Sequence, residues 1–390
     1  MNPLCASSTC KLVLVSAFFL ALITPLIVGI SSRPQEVSTT ENRALNPSPE
    51  RPNALNDLVD FPRKFDLYFK DRVGLRPEFL RINNAIRYHL DFPPVAPVLI
   101  GKSGWLFHRG RMEVYRNTKV MTPEQLSLFT DIATFKQAQA RKFGARYYFL
   151  LTAQKSTIYP EYYPSTVRRA QETSLADQVM QAFQSTGIPC IDLRTVLMEA
   201  KTHHSAFLYF KTDTHWNDVG ANVAQVAVIE RLHKDFSDLM PVAIPNTRLS
   251  WLKRTGNLAE MLNNGEYRDE LTPHLDIPQH FLIPDNNTDL TRTIRTVNDQ
   301  GVRHLLVGGN SQLNWLAPFL SNYMKTATYA HHDTLNSVYR FNTAIKAQPV
   351  DIYLDMWEEL SLFNFLGFFE ESALDRRSPI DRSKPLKHDE

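Results

Sequence analysis

The chain holds three cysteines in 390 residues, and Cys5 and Cys10 both precede a long apolar run near the N-terminus. Cys190 is alone in the portion that follows, so no intramolecular disulfide staples that portion and its fold must rest on a core. An excess of charge is also missing: 43 Lys and Arg stand against 41 Asp and Glu, with no block of five basic residues. That excludes the electrostatic footprint of a nucleic-acid binder. No two histidines have the His-x-x-x-His spacing that sets two ligands on one helical face, although His203-His204 and His331-His332-Asp333 put ligand types side by side. These pairs read as solvated loop residues, and no metal and no cofactor is expected. No internal repeat is visible.

What is present begins with Leu12 to Ile30, LVLVSAFFLALITPLIVGI, uncharged and long enough at about 1.5 Å per residue to cross most of a hydrocarbon core of roughly 30 Å. Lys11 favours an inside N-terminus, opposed by Arg33 just beyond the run. Gly29 and Ser31 could serve a cleavable signal peptide, but the run exceeds a secretory h-region of about 7 to 15 residues, so residues 1–30 read as an uncleaved signal anchor. Residues 31–60, with four prolines, read as an extended linker; 61–371 as the globular domain; and 372–390 as a polar tail.

Between linker and tail the pattern alternates. Phe61 to Leu90 predicts two short amphipathic helices broken near Gly74, and Val98 to His108 a hairpin turning at Lys102-Ser103-Gly104. Thr122 as N-cap, Pro123, Gln125 in a capping box and Gly144 as a stop frame a helix. Strands are predicted at Arg146–Leu151, Ile188–Asp192, Phe207–Phe210, His304–Val307 and Val350–Leu354. Helices are predicted near Ser174–Thr186, Asn217–Lys234 and Gln312–Asn322. Interleaved strands and helices imply crossovers and a three-layer α/β domain with a parallel sheet. Residues of about 235 to 300 fit this rhythm poorly and read as a long insertion or flap.

Functional groups of such sheets gather at the carboxyl ends of strands. Two places stand out. Lys211-Thr212-Asp213-Thr214-His215-Trp216-Asn217 leaves a predicted strand; if its residues are extended, Asp213 and His215 project to one side, and the carboxylate can hold the imidazole N–H. His304 to Gln312 is a predicted buried strand running into Gly308-Gly309 and then Ser311 at a helix start, where N–H groups can meet an oxyanion. A serine there needs a base such as His215 to act as nucleophile. The bland readings are a helix-entry polar network for Asp213 and His215, and a simple N-cap for Ser311. Lys155 reads equally as a functional group at a strand end or a solvated lysine. Trp105, Trp216, Trp315 and Trp357 read as sugar-stacking surfaces or core.

The order Asp-x-His-Trp, followed about a hundred residues later by strand-Gly-x-Ser, resembles the membrane-associated alginate O-acetyltransferase family, whose SGNH-hydrolase-like (flavodoxin-like) domain is circularly permuted. Further stretches agree: Glu41-Asn42-Arg43 with Leu45, Phe61-Pro62, Asp71 to Gly74 with Arg76, Gly101 to Phe107 (GKSGWLF), and Lys155 to Pro164 (KSTIYPEYYP). The resemblance implies Ser311 as nucleophile, His215 as general base and Asp213 as its orienting partner; from the residues themselves, Gly309, Gln312, Lys155, Trp216 and Trp315 stand as oxyanion or substrate-binding candidates. It implies an inner-membrane protein with one transmembrane helix and a periplasmic domain that moves acetyl groups onto an alginate-like exopolysaccharide, supplied by a membrane-bound O-acyltransferase. An acetylesterase with the same triad and a noncatalytic polysaccharide-binding scaffold are the alternatives. Asn310 and Asn257 depart from the family, which often has Asp at both places.

Overall fold

Helix α1 (Ser8–Ser31) takes up the apolar run, and its stretch Lys11–Ser31 is long and apolar enough to cross a membrane by length and composition. The computed structural model describes residues 8–31, 36–38, 43–53, 55–89, 97–241, 248–263, 269–284 and 293–369; the tail expected at 372–390 lies outside them, as do Glu41 and Asn42. The described residues divide into two units, Met1–Leu99 with Thr255–Glu270, and Ile100–Arg254 with Leu271–Glu390.

In the first unit, β1 (Val37–Ser38) pairs antiparallel with β2 (Arg43–Ala44). The two expected amphipathic helices are α2 (Leu55–Arg72) and α3 (Arg76–His89), separated at Gly74 as the sequence predicts, although α2 begins inside the stretch read as linker. Gly74 N–H donates to the Pro25 carbonyl at 2.9 Å. A Cβ at Gly74 would stand 2.5 Å from both that oxygen and the Gly29 nitrogen, so only glycine fits.

The second unit takes over within β3 (Val98–Ile100), and a tight turn through Ser103 and Gly104, both at positive φ, leads to β4 (Leu106–His108). The short α4 (Met112–Tyr115) precedes α5 (Pro123–Lys142), whose capping box from Thr122 and Gln125 forms as predicted and whose end is marked by Gly144 at φ 83. Then follow β5 (Arg146–Thr152), α6 (Lys155–Ile158), α7 (Leu175–Phe183), β6 (Cys190–Asp192), α8 (Leu193–His203) and α9 (Asp218–His233). The 235–300 stretch contributes β7 (Arg248–Arg254), the first-unit helix α10 (Asn257–Leu262), β8 (Glu270–Asp276) and β9 (Thr293–Val297). The chain closes with β10 (Arg303–Gly309), α11 (Leu313–Ser321), β11 (Met324–His331), α12 (Val338–Lys346) and β12 (Ile352–Glu358).

The central sheet has the order β6-β5-β12-β10-β11-β9. Five of its strands run parallel, as the interleaved pattern predicts, and β9 pairs antiparallel with β11, so the sheet is mixed. The cause is the short link from Val297 to Arg303, since a parallel return needs a crossover of about a dozen residues. Side chains alternate across this sheet. Tyr147, Phe149, Leu151, Tyr353 and Trp357 enter one core with α5, α7 and α12, while α8, α9 and α11 pack the other side, giving three layers. Inside the first layer, fully buried Lys136 pairs with Asp355, whose carboxylate also accepts from Tyr147 (3.0 Å), Tyr353 (3.2 Å) and Trp357 Nε1 (2.8 Å).

Two local expectations need correction. Phe207–Phe210 is not a sheet strand: Asn217 N–H donates to the Leu208 carbonyl (3.0 Å) and Phe210 N–H to that of His215 (3.2 Å), folding the segment on itself. The buried Leu208, Tyr209 and Phe210 owe their apolar pattern to packing, not pairing. His332, read as solvated, stacks on Trp357 at 3.6 Å between ring centroids, and its Nε2 faces the Met356 carbonyl at 2.8 Å.

Candidate active site

The loop from Phe210 to Asn217 leads directly into α9, capped by the Asn217 side chain, which accepts from Val219 and Gly220 N–H. Within it Asp213, buried at 1% exposure, accepts from the His215 main-chain N–H (3.1 Å) and lies 2.6 Å from His215 Nδ1, both through Oδ1. The side-by-side disposition read from an extended strand is thus achieved by a turn in which the carboxylate caps its own loop. With the Nδ1 proton on the Asp213 side, Nε2 is left as the acceptor, and it faces Ser311 Oγ at 2.7 Å. Asp213, His215 and Ser311 therefore form one continuous chain of short contacts.

Ser311 follows β10 in a turn before α11. The first N–H groups of that helix bond to main-chain carbonyls of Asn310 and Ser311, and Gln312 rather than Ser311 occupies the N-cap position, so the serine hydroxyl is not spent on capping. Neither Gly308 nor Gly309 has positive φ. A Cβ at Gly308 would meet Leu335 at 2.9 Å, and one at Gly309 would meet Leu313 at 2.9 Å and Met356 at 3.0 Å, so these glycines permit close packing under the turn. The Gln312 N–H, expected to face an oxyanion, instead donates to Asn310 Oδ1 at 3.0 Å, and its side chain accepts from Trp216 N–H at 3.3 Å. Asn310 Nδ2 points to Glu358 at 3.4 Å, a contact that an aspartate would turn into repulsion. Ser311's own N–H has no hydrogen-bond partner among the described residues.

Lys155 is neither solvated nor at the reacting atoms. Buried at 4% exposure, its Nζ donates to the carbonyls of Phe210 (3.1 Å), Lys211 (3.0 Å) and Asp213 (2.7 Å). Trp105 and Phe107 lie against the same ammonium at 5.5 and 5.0 Å, and Leu106 N–H donates to the Lys211 carbonyl at 2.9 Å. The Gly-Trp-Leu-Phe hairpin and the lysine-tyrosine-proline run thus meet beneath the Asp213 loop and hold its carbonyls in place.

Trp105, Trp216 and Trp357 are core residues, so their stacking role falls away. Trp315 remains half-buried, edge-on to Phe210. A residue the sequence reading missed completes the site: Arg254, on β7, donates to Asp213 Oδ2 at 3.2 Å while its guanidinium lies 4.5 Å from the ring centres of both Phe210 and Trp315. No motif marks it, because it comes from the irregular stretch after residue 235.

These features, a three-layer sheet with the serine turn after one strand, define an SGNH hydrolase-like α/β protein. The family model described as "SGNH hydrolase-like domain, acetyltransferase AlgX" matches residues 98–332, and the chain belongs to that family. It is similar to the probable alginate O-acetylase AlgJ of Pseudomonas putida, with 23% identity over 206 residues, 52% of this chain and 49% of that one. It thus spans about half the length of that relative. In fold it is similar to Bacillus cereus PatB1, solved with a sulfonyl adduct, at TM-score 0.51 and 15% identity, covering 70% of this chain and 98% of that one. The O-acetyltransferase domain of Pseudomonas putida AlgJ aligns at TM-score 0.48 and 17% identity, covering 68% of this chain and 92% of that one.

Proposed function

We propose that this protein is an O-acetyltransferase that passes acetyl groups through Ser311 onto hydroxyls of an alginate-like exopolysaccharide. The observation that carries the reading is the contact of His215 Nε2 with Ser311 Oγ at 2.7 Å, backed by the Asp213–His215 contact at 2.6 Å. Family membership and the likeness to a probable alginate O-acetylase supply the acyl group and the acceptor class.

In the first half-reaction Ser311 Oγ attacks the donor's acetyl carbonyl carbon while its proton passes to His215 Nε2. The bond from that carbon to the donor's leaving atom breaks, and His215 returns the proton to the leaving group. In the second half a sugar hydroxyl gives its proton to His215 and attacks the acetyl-serine carbonyl; the ester bond to Ser311 breaks and the proton returns to Oγ. Asp213 holds the Nδ1 proton and balances the imidazolium charge. The Ser311 N–H serves as an oxyanion donor, since the Gln312 N–H is occupied, and a donor of this kind is worth about 2.7 to 4 kcal/mol.

Acetyl-coenzyme chemistry resides in the cytoplasm, so a domain held outside by α1 must receive its acetyl groups through the membrane. A membrane-bound O-acyltransferase is the fitting supplier, and an inner-membrane anchor with a periplasmic domain the fitting placement. Incubation of the protein with an activated acetyl ester and an oligosaccharide of the polymer tests the reading. Acetylated oligosaccharide, lost in Ser311→Ala, is expected; release of free acetate at the same rate with and without oligosaccharide would mark an esterase instead.

A further inference from the structure

The first unit carries an apolar surface that the triad does not use. On α2, Leu58, Phe61, Phe65 and Phe69 recur at helical spacing, and the three phenylalanines stack at 6.0 and 6.1 Å between ring centres, with Phe65 47% and Phe69 43% exposed. On α3, Phe79, Ile82 and Ile86 form a second stripe, 50%, 50% and 53% exposed. The opposite side of α3 is occupied: buried Asn84 donates to the Leu262 carbonyl at 2.8 Å. A water-facing helix pair would not spend six large apolar side chains, Leu58, Phe65, Phe69, Phe79, Ile82 and Ile86, on its outer surface with half-buried Phe61 beside them.

The α2–α3 corner sits at a defined height on α1. Gly74 N–H bonds to the Pro25 carbonyl, and a Cβ on Gly29 would meet the Arg72 carbonyl at 2.3 Å. At about 1.5 Å per residue, Pro25 and Gly29 stand roughly 9 and 3 Å inside Ser31, the end of the apolar span. That is the depth, about 5 to 10 Å, at which an amphipathic helix rests between headgroups and acyl chains. The helix faces are also alternated with charge: Asp57, Asp60, Arg63, Lys64, Asp66 and Lys70 fall off the Phe65 stripe.

From this placement we infer that α2 and α3 lie in the membrane interface, with the Leu58–Phe69 and Phe79–Ile86 stripes immersed among lipid chains, so that the protein is held at the bilayer by three contacts rather than one. The inference rests on α1 crossing the membrane. A lipid surface, and not a partner protein, is the occupant, because the corner is fixed by main-chain contacts to the span itself.

The test uses the full chain in phosphatidylcholine vesicles containing brominated acyl chains. Single tryptophans replace Phe65, Ile82, Leu67 and, as reference, Phe18 of the span; each signal is read as the difference from the parent protein. Phe65→Trp and Ile82→Trp are expected to be quenched by brominated lipid about as strongly as Phe18→Trp, and Leu67→Trp, on the other side of α2, to be quenched by aqueous iodide instead. Quenching of Phe18→Trp but not of the Phe65 and Ile82 variants overturns the inference. Shielding of those two from both quenchers overturns it as well, since protein then covers the face. If Phe18→Trp itself escapes lipid quenching, the membrane-spanning reading fails and the interfacial placement falls with it. A Gly74→Val variant, which forces the corner off Pro25 and Gly29, is expected to keep the Phe18 signal and lose that of Phe65; retention of both contradicts the docking.

Discussion

His215 stands between two oxygens, 2.6 Å from Asp213 and 2.7 Å from Ser311, so each neighbour has a separable role in the proposed chemistry. Asp213→Asn keeps the shape of the loop but offers an amide where the Nδ1 proton must point, and turnover should fall by about 10² to 10⁴ with little change in KM. Steady-state kinetics with an acetyl ester would check this; a change confined to KM would contradict it. Arg254 adds a second hold on Asp213 Oδ2. Arg254→Lys keeps a charge but loses the planar group set between Phe210 and Trp315, so turnover should drop about ten-fold at unchanged melting temperature. The three contacting residues were legible as candidates because Asp-x-His and Gly-x-Ser are short local patterns. Arg254 was not, because its approach to Asp213 depends on a tertiary fold that brings β7 across 41 positions of sequence.

At the scale of elements, the Asp213 loop is shaped by what lies beneath it. Lys155 supplies the donor for three turn carbonyls, those of Phe210, Lys211 and Asp213, and its ammonium is enclosed by Trp105 and Phe107. Lys155→Met leaves those carbonyls without their charged donor and should cost on the order of 3 kcal/mol by urea denaturation, together with a loss of turnover in the fraction that folds. Unchanged stability would show that the carbonyls find water instead. The sequence marked Lys155 as notable but could not separate a solvated lysine from this one, since burial is set by the hairpin at Gly101–Phe107. The capping box at Thr122 and the stop at Gly144 were readable because helix ends are decided within four residues. Strand β11 was not, its alternation being broken by Lys325, Thr326 and Thr328, and Phe207–Phe210 misled because buried apolar runs look alike whether paired or packed.

At the scale of the whole molecule, the fold carries ionisable groups outside the Asp213–His215–Ser311 chain of contacts. Lys136 and Asp355 satisfy one another inside the core, and Lys136→Met would strand a buried carboxylate at a cost of about 3 to 5 kcal/mol, measurable as a lower urea midpoint. Burial pushes His332 down to about 4, and His108 also to about 4 with help from Arg111. Below about 6.5 the unfolded chain takes protons that these folded histidines refuse, so stability falls as pH drops from 6.5 towards 4. Glu359 acts in the opposite sense: burial raises it from 4.5 to about 6, so it favours the folded state below 4.5 and that contribution is lost as pH rises through 6. His332→Gln should flatten the acid limb by up to about 1.4 kcal/mol per pH unit; an unaltered slope would mean that His332 does not carry it.

The five parallel strands and three layers follow from patterns spread over the chain, whereas the reversal of β9 depends on a connection too short for a crossover. All these features serve one proposed event, the transfer of an acetyl group through Ser311. Intact-mass spectrometry of the protein after brief exposure to an activated acetyl ester reads that event directly. One added acetyl group, mapped to Ser311 and absent from both Ser311→Ala and His215→Ala, is the predicted result; a folded protein that gains no acetyl group, or gains it equally in Ser311→Ala, would contradict the account.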